Sequence, residues 1–204
     1  MSVVYDDIPP DLELVYPVNN SAVNHLDISY SISEQLNVGE IVYTRISGDE
    51  DPNSPVSINL EASELETSFD QPQKTAQVPM LNDGTIYNIQ LFGEDLAKNN
   101  AKSNVIENVK YDVTRPRISI YYPTSNSYFM GSDINIEISE DLKEGKMVWT
   151  RTGGLSDEVT KQKIPLYDQY LKKGAYEKAS LPIEESLSAG VVYSLGVDAV
   201  DFAE

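Results

Sequence analysis

The chain has 204 residues, with 15 Lys and Arg against 33 Asp and Glu and no cysteine. Its formal net charge of -18 repels nucleic acid and anionic membranes and favours cations or basic partners, so nucleic-acid binding is not expected. Without cysteine there is no disulfide, thiolate nucleophile or thiolate metal ligand, and no apolar run approaches the roughly 18 residues needed to cross a bilayer, so membrane insertion is not expected either.

The first residues, Met-Ser-Val-Val-Tyr, carry neither the basic nor the apolar region of a signal peptide; an export signal, if used, is expected outside this stretch. A strand is predicted at 11–16. Residues 26–33 then alternate, with Leu26, Ile28, Tyr30 and Ile32 on one face and Asp27, Ser29, Ser31 and Ser33 on the other. Period two is the pattern of a half-buried strand in an antiparallel sheet. Further strands are predicted at 41–46, 56–61, 75–80, 87–91 and 104–111, separated by turn residues such as Asn82-Asp83-Gly84. The alternation returns in Ile134, Ile136 and Ile138, and again in Tyr193, Leu195 and Val197. Helix is limited to single turns at 61–66 and 167–172.

The second half repeats the first. The segment ISEQLNVGEIVYTRISG beginning at Ile32 returns as ISEDLKEGKMVWTRTGG at Ile138, an offset of 106. The same offset carries Tyr16-Pro17 to Tyr122-Pro123, Gly84 and Tyr87 to Gly190 and Tyr193, and Asp95-x-Ala97 to Asp201-x-Ala203, without a gap. About a quarter to a third of the aligned positions are identical, the mark of a tandem duplication. The expected fold is therefore all-β: two antiparallel β-sandwiches of about seven strands each, at 1–110 and 111–204. Nothing in the second half answers to residues 99–110, so the second sandwich is expected to lack its last strand, either because the chain is part of a longer array or because a neighbour donates the strand. Val3 to Tyr5 matches Val109 to Tyr111, the tail of the first sandwich's last strand.

The order of a Pro near the first strand, ISE-x-L-x-x-G, an aromatic before Thr-Arg, L-x-x-G-x-x-Tyr and a final Asp-x-Ala resembles the bacterial immunoglobulin-like repeats of large, repetitive surface or secreted proteins. The resemblance covers nearly the whole chain. It implies an extracellular or cell-surface location and a non-enzymatic role as spacer or adhesive stalk. The implied partners are neighbouring repeats of the same chain, with a glycan or a host or cell-surface protein as an outside ligand. In such families the last motif usually reads Asp-x-Ala-Gly-Asn; here it is Asp95-Leu96-Ala97-Lys98-Asn99.

Residues suited to catalysis are few. The single His25 is expected in a solvated turn, and no phosphate loop, dinucleotide fingerprint or zinc spacing is present. Acidic residues offer more. Glu34 continues the inward column of Ile28, Tyr30 and Ile32, and Asp95 continues that of Tyr87, Ile89 and Leu91, so both should close one pole of the sandwich, where the entering chain brings Asp6. The offset repeats the set as Asp112, Glu140 and Asp201. Hard cations such as calcium take six to eight oxygens, so these two sets are candidate calcium sites; turn capping, or pairing with Arg45 and Arg151, is the competing reading.

Tyr167, Tyr170 and Tyr176, interspersed with lysines, form an exposed-looking aromatic surface suited to a sugar or an acidic partner, though residues 61–71 of the first copy lack it. Trp149, aligned with Tyr43, is expected in the core. Pro116 should stiffen the junction at residues 112–116. A carbohydrate-binding module and a fibre subunit completed by strand donation are the alternatives to the stalk.

Overall fold

The computed structural model describes residues 1, 3–68, 75–131, 133–156, 158–181 and 187–203. The chain is all-β and folds as two compact units, Met1–Thr114 and Arg115–Phe202.

The first unit contains β1 (Leu12–Tyr16), β2 (Ala22–Val23), β3 (Ser29–Ile32), β4 (Leu36–Gly48), β5 (Val56–Asn59), a 3-10 turn at Ala62–Glu64, β6 (Thr85–Asp95) and β7 (Asn100–Tyr111). One sheet is the antiparallel pair β1-β3; the other has the order β2-β7-β6-β4-β5, antiparallel throughout except for the parallel β2/β7 pair. A single apolar core draws on both sheets: Leu12, Leu14, Tyr30 and Ile32 come from one and Ile41, Tyr43, Tyr87, Ile89, Leu91 and Ile106 from the other. The alternation explains this, because every second side chain of a strand points to the same face.

The second unit contains β8 (Ile118–Tyr122), β9 (Asp133–Ile138), β10 (Glu144–Gly154), β11 (Lys161–Pro165), a 3-10 turn at Asp168–Leu171, β12 (Gly174–Ser180) and β13 (Val191–Val200). Its two antiparallel sheets have the orders β12-β9-β8 and β11-β10-β13. They share a core built on Ile134, Ile136, Ile138, Leu142, Met147 and Trp149. Both units are thus consistent with β-sandwiches.

Backbone details also recur 106 residues apart. Asn20 and Asn126 both take φ 60°, and Gly48 and Gly154 take 74° and 75°. Gly48 and Gly154 end β4 and β10 beside the carbonyls of Gly84 and Gly190, where a Cβ would collide with carbonyl oxygen. Only glycine fits there without strain. Ser33 takes the N–H of Asp11 on its hydroxyl at 2.8 Å and returns its own N–H to the Asp11 carbonyl at 3.0 Å; Ser139 does the same with Arg117. These latches hold the chain entering each unit beside the end of β3 or β9.

The strand predicted at 75–80 does not form. The Ala76 N–H is taken by the Glu64 carboxylate, and Pro79 has no N–H to give a ladder. Residues 69–74 lie outside the described residues. The two-residue β2 was not signalled by any alternation. Strands β4, β6 and β7 run beyond the predicted 41–46, 87–91 and 104–111, while β1, β3 and β5 stop short of 11–16, 26–33 and 56–61; β4 and β6 form one long ladder from Leu36↔Asp95 to Gly48↔Thr85 that absorbs two bulges.

Candidate metal centre

Three carboxylates meet at one pole of the first unit. Asp95 is the last residue of β6, Glu34 follows β3 in a bend, and Asp6 arrives on the segment that the Ser33 latch holds in place. One carboxylate oxygen from each lies within 4.8 Å of those from the other two. Asp95 is buried at 1% exposure, while Asp6 and Glu34 are half-buried.

Their environments differ. Burial pushes the Asp95 carboxyl up, but the side chain and N–H of Asn99, with the N–H groups of Ala97 and Lys98, outweigh it and hold the group below its ordinary range. Asn99 N and Nδ2 donate to the two Asp95 oxygens at 2.8 and 2.9 Å. Glu34 goes the other way: desolvation first, then the charges of Asp6 and Asp95, raise its pKa. Asp95 is thus the fixed anion, and Glu34 is the group that a proton or a cation would relieve. Three carboxylates supply up to six oxygens if all bind in bidentate fashion, a set that suits a hard cation.

The same geometry serves turn capping. Asn99 Nδ2 also lies 3.3 Å from the Asp6 carbonyl and 3.4 Å from that of Ile8, so one amide ties the hairpin loop after β6 to the entering chain. Lys98 occupies the position where the resembled families carry glycine, and it takes φ 75°. The turn therefore keeps a left-handed residue without a glycine.

In the second set, Asp112 belongs to the first unit; it is buried, donates its N–H to the Val23 carbonyl at 2.9 Å and pairs with Lys110 at 2.5 Å. Glu140 and Asp201 follow β9 and β13 of the second unit, with Asp201 buried. Arg45 and Arg151 play a different part from the acid pairing considered above. Arg45 donates to the carbonyls of Asp49 and Gly48 at 2.8 and 2.9 Å, and Arg151 donates to that of Leu155 at 3.0 Å. Each guanidinium closes the bend after its own long strand.

The tyrosines fold in on one another. Tyr170, which looked exposed in the sequence, is in the core at 8% exposure, with its ring edge-on to Tyr167 at 5.7 Å and Tyr176 at 5.3 Å. Its position in the 3-10 turn aims it at the core. Tyr167 Oη donates to the Ser180 carbonyl, and Tyr176 Oη lies within hydrogen-bonding distance of the Gln169 and Lys172 carbonyls, so the hydroxyls hold this connection together. Trp149 is buried between Phe129 and Tyr193. His25 is exposed, stacked on Tyr16 and close to Asp27.

Two polar anchors escaped the sequence reading. Tyr87 Oη donates to the buried Asp51 carboxylate at 2.6 Å and accepts the Asn82 N–H at 2.9 Å. Asp83 takes the Val113 N–H at 2.8 Å and the Thr114 hydroxyl at 2.5 Å, binding the end of the first unit to its own turn. Neither pairing has a local signal, since each joins residues about thirty positions apart in a chain rich in Asp.

A comparison with protein-family models finds no match for the chain, and a comparison with curated proteins finds none either. No helix among the described residues is long and apolar enough to cross a membrane.

Proposed function

We propose that the chain is a pair of tandem immunoglobulin-like repeats acting as a non-enzymatic spacer or stalk segment of a large, repetitive bacterial surface or secreted protein. The observation that carries this reading is the recurrence of the elements at one offset. β1, β3, β4, β5, the 3-10 turn and β6 are followed 106 residues later by β8, β9, β10, β11, a second 3-10 turn and β13, with matching positive-φ turn residues. Repetition of a scaffold with its turns intact, around cores of ordinary apolar composition, fits a role in reach and spacing. The Asp83 anchor on Val113 and Thr114, together with Pro116 just beyond it, supports a stiff exit from the first unit.

The Asp6, Glu34 and Asp95 group is a candidate weak calcium site within this reading. Extracellular modules hold calcium with dissociation constants on the order of 10⁻⁴ to 10⁻³ M. The raised Glu34 carboxyl beside two acids is what supports it.

A glycan array probed with the chain tests the stalk, and the absence of any bound glycan is the expected result. Saturable glycan binding that is lost in Tyr167→Ala or Tyr176→Ala would replace the stalk with a carbohydrate-binding module.

A further inference from the structure

β6 and β13 stand 106 residues apart and are flanked differently. β6 lies between β4 and β7, and its inward Tyr87, Ile89 and Leu91 are 1, 2 and 0% exposed. β13 pairs with β10 and, among the described residues, is the edge strand of its sheet. Its inward Tyr193, Leu195 and Val197 pack against the second core but remain only partly buried. Three large apolar side chains on an edge strand with half-covered inner faces are a surface that natural sheets ordinarily cover.

The first unit displays a strand that fits such a surface. β7 runs antiparallel to β6 with Val109 opposite Tyr87, Ile106 opposite Ile89 and Lys102 opposite Phe92. Ile106 and Val109 are each 3% exposed and complete the core, and Ser103 Oγ accepts the Leu91 N–H at 3.0 Å. The same register on β13 sets Val109's position against Tyr193, Ile106's against Leu195 and Lys102's against Asp198. The last pairing brings a second lysine to Asp198, which Lys163 of β11 already reaches at 3.4 Å, where β6 offers Phe92.

We propose that the outer edge of β13 is a strand-acceptor site, and that its occupant is an extended peptide segment with the side-chain pattern of β7: two β-branched residues three apart that face the core, preceded by a lysine that meets Asp198. Main-chain hydrogen bonds to the edge would give affinity, and the two apolar residues would give register. The site goes beyond the spacer reading and does not depend on it.

The test uses the whole chain and a synthetic peptide of β7's own sequence, NAKSNVIENVKY, as the probe. Nuclear magnetic resonance should show one-to-one binding, with amide exchange along β13 slowed about tenfold or more at saturation. Trp149 fluorescence should shift as Tyr193, 6.2 Å from it, becomes covered. A peptide carrying Asp at the Ile106 and Val109 positions should not bind; equal binding by that peptide would overturn the register and the pattern. Absence of binding at millimolar peptide, or protection confined to other strands, would overturn the site. Concentration-dependent dimerisation that protects β13 without peptide would make a second copy of the chain the occupant and overturn the one proposed. All variation is in the peptide, so folding of the protein is not in question.

Discussion

Asp83 and Thr114 are joined by a 2.5 Å hydrogen bond between carboxylate and hydroxyl, and the neighbouring Val113 N–H fills the other carboxylate oxygen. The Thr114 side chain is the largest influence on the Asp83 carboxyl and lowers its pKa; the N–H groups of Val113, Thr114 and Gly84 add to this against the effect of burial.

A carboxyl whose pKa is depressed in the folded state contributes stability above its unfolded value, near 3.9 in model peptides, and loses it as pH falls through the folded value. Asp83→Asn should therefore weaken the acid dependence of the first unit's stability between about pH 5 and pH 2. Asp83→Ala should cost about 1 kcal/mol at neutral pH by removing two hydrogen bonds at a partly exposed site. Urea unfolding followed by far-ultraviolet circular dichroism reads both. Trp149, the one tryptophan, reports the second unit separately and should not respond.

Tyr87→Phe leaves the buried Asp51 carboxylate without its 2.6 Å donor and the Asn82 N–H without its acceptor. The expected cost is about 1–3 kcal/mol. Thermal melts of Tyr87→Phe followed by far-ultraviolet circular dichroism read this loss in the first unit.

Lys98→Gly should stabilise the first unit. Lys98 sits at φ 75°, a conformation that costs a residue with a Cβ roughly 1–2 kcal/mol, partly offset by glycine's greater freedom in the unfolded chain. A net gain of about 0.5–1 kcal/mol in denaturant unfolding is expected. Loss of stability would show that the lysine side chain matters more than its backbone.

Glu34 gives the opposite pH behaviour to Asp83. Its pKa is raised in the folded state by desolvation and by Asp6 and Asp95, so its contribution is fully present below the unfolded value and is lost as pH rises through the folded value. Without added metal, Glu34→Gln should raise the first unit's melting temperature at pH 7 by relieving that repulsion. With millimolar calcium the natural chain should gain in melting temperature and the variant should gain little. Identical melts in calcium and in chelator would leave the group as a turn cap held by Asn99.

What the sequence made legible was whatever repeats or alternates. The period-two runs at Ile28 to Ile32 and Tyr87 to Leu91 mark strands because a half-buried strand cannot hide its period, and extending those columns brought Glu34 and Asp95 to one pole with Asp6. Contacts between side chains remote in sequence left no such trace. The Asn99 amide was visible only as the last residue of a motif, with nothing to say that it reaches the carbonyls of Asp6 and Ile8. Alternation also fails where backbone donors are diverted, as at Ala76, and where a single turn reverses a side chain's direction, as at Tyr170.

The Asn99 amide has a mechanical consequence. It grips the Asp6 and Ile8 carbonyls while the strand that follows it, β7, is laddered to β6 over most of its length. Tension drawn on the N-terminal end of the first unit is then delivered to the β6–β7 hairpin and, through the Asp11–Ser33 latch, to the end of β3, before it can begin to peel β1 from its edge. A pull that must shear several bonds at once meets more resistance than one that unzips them singly, so a turn that reads as a local cap serves as a cleat for the incoming chain.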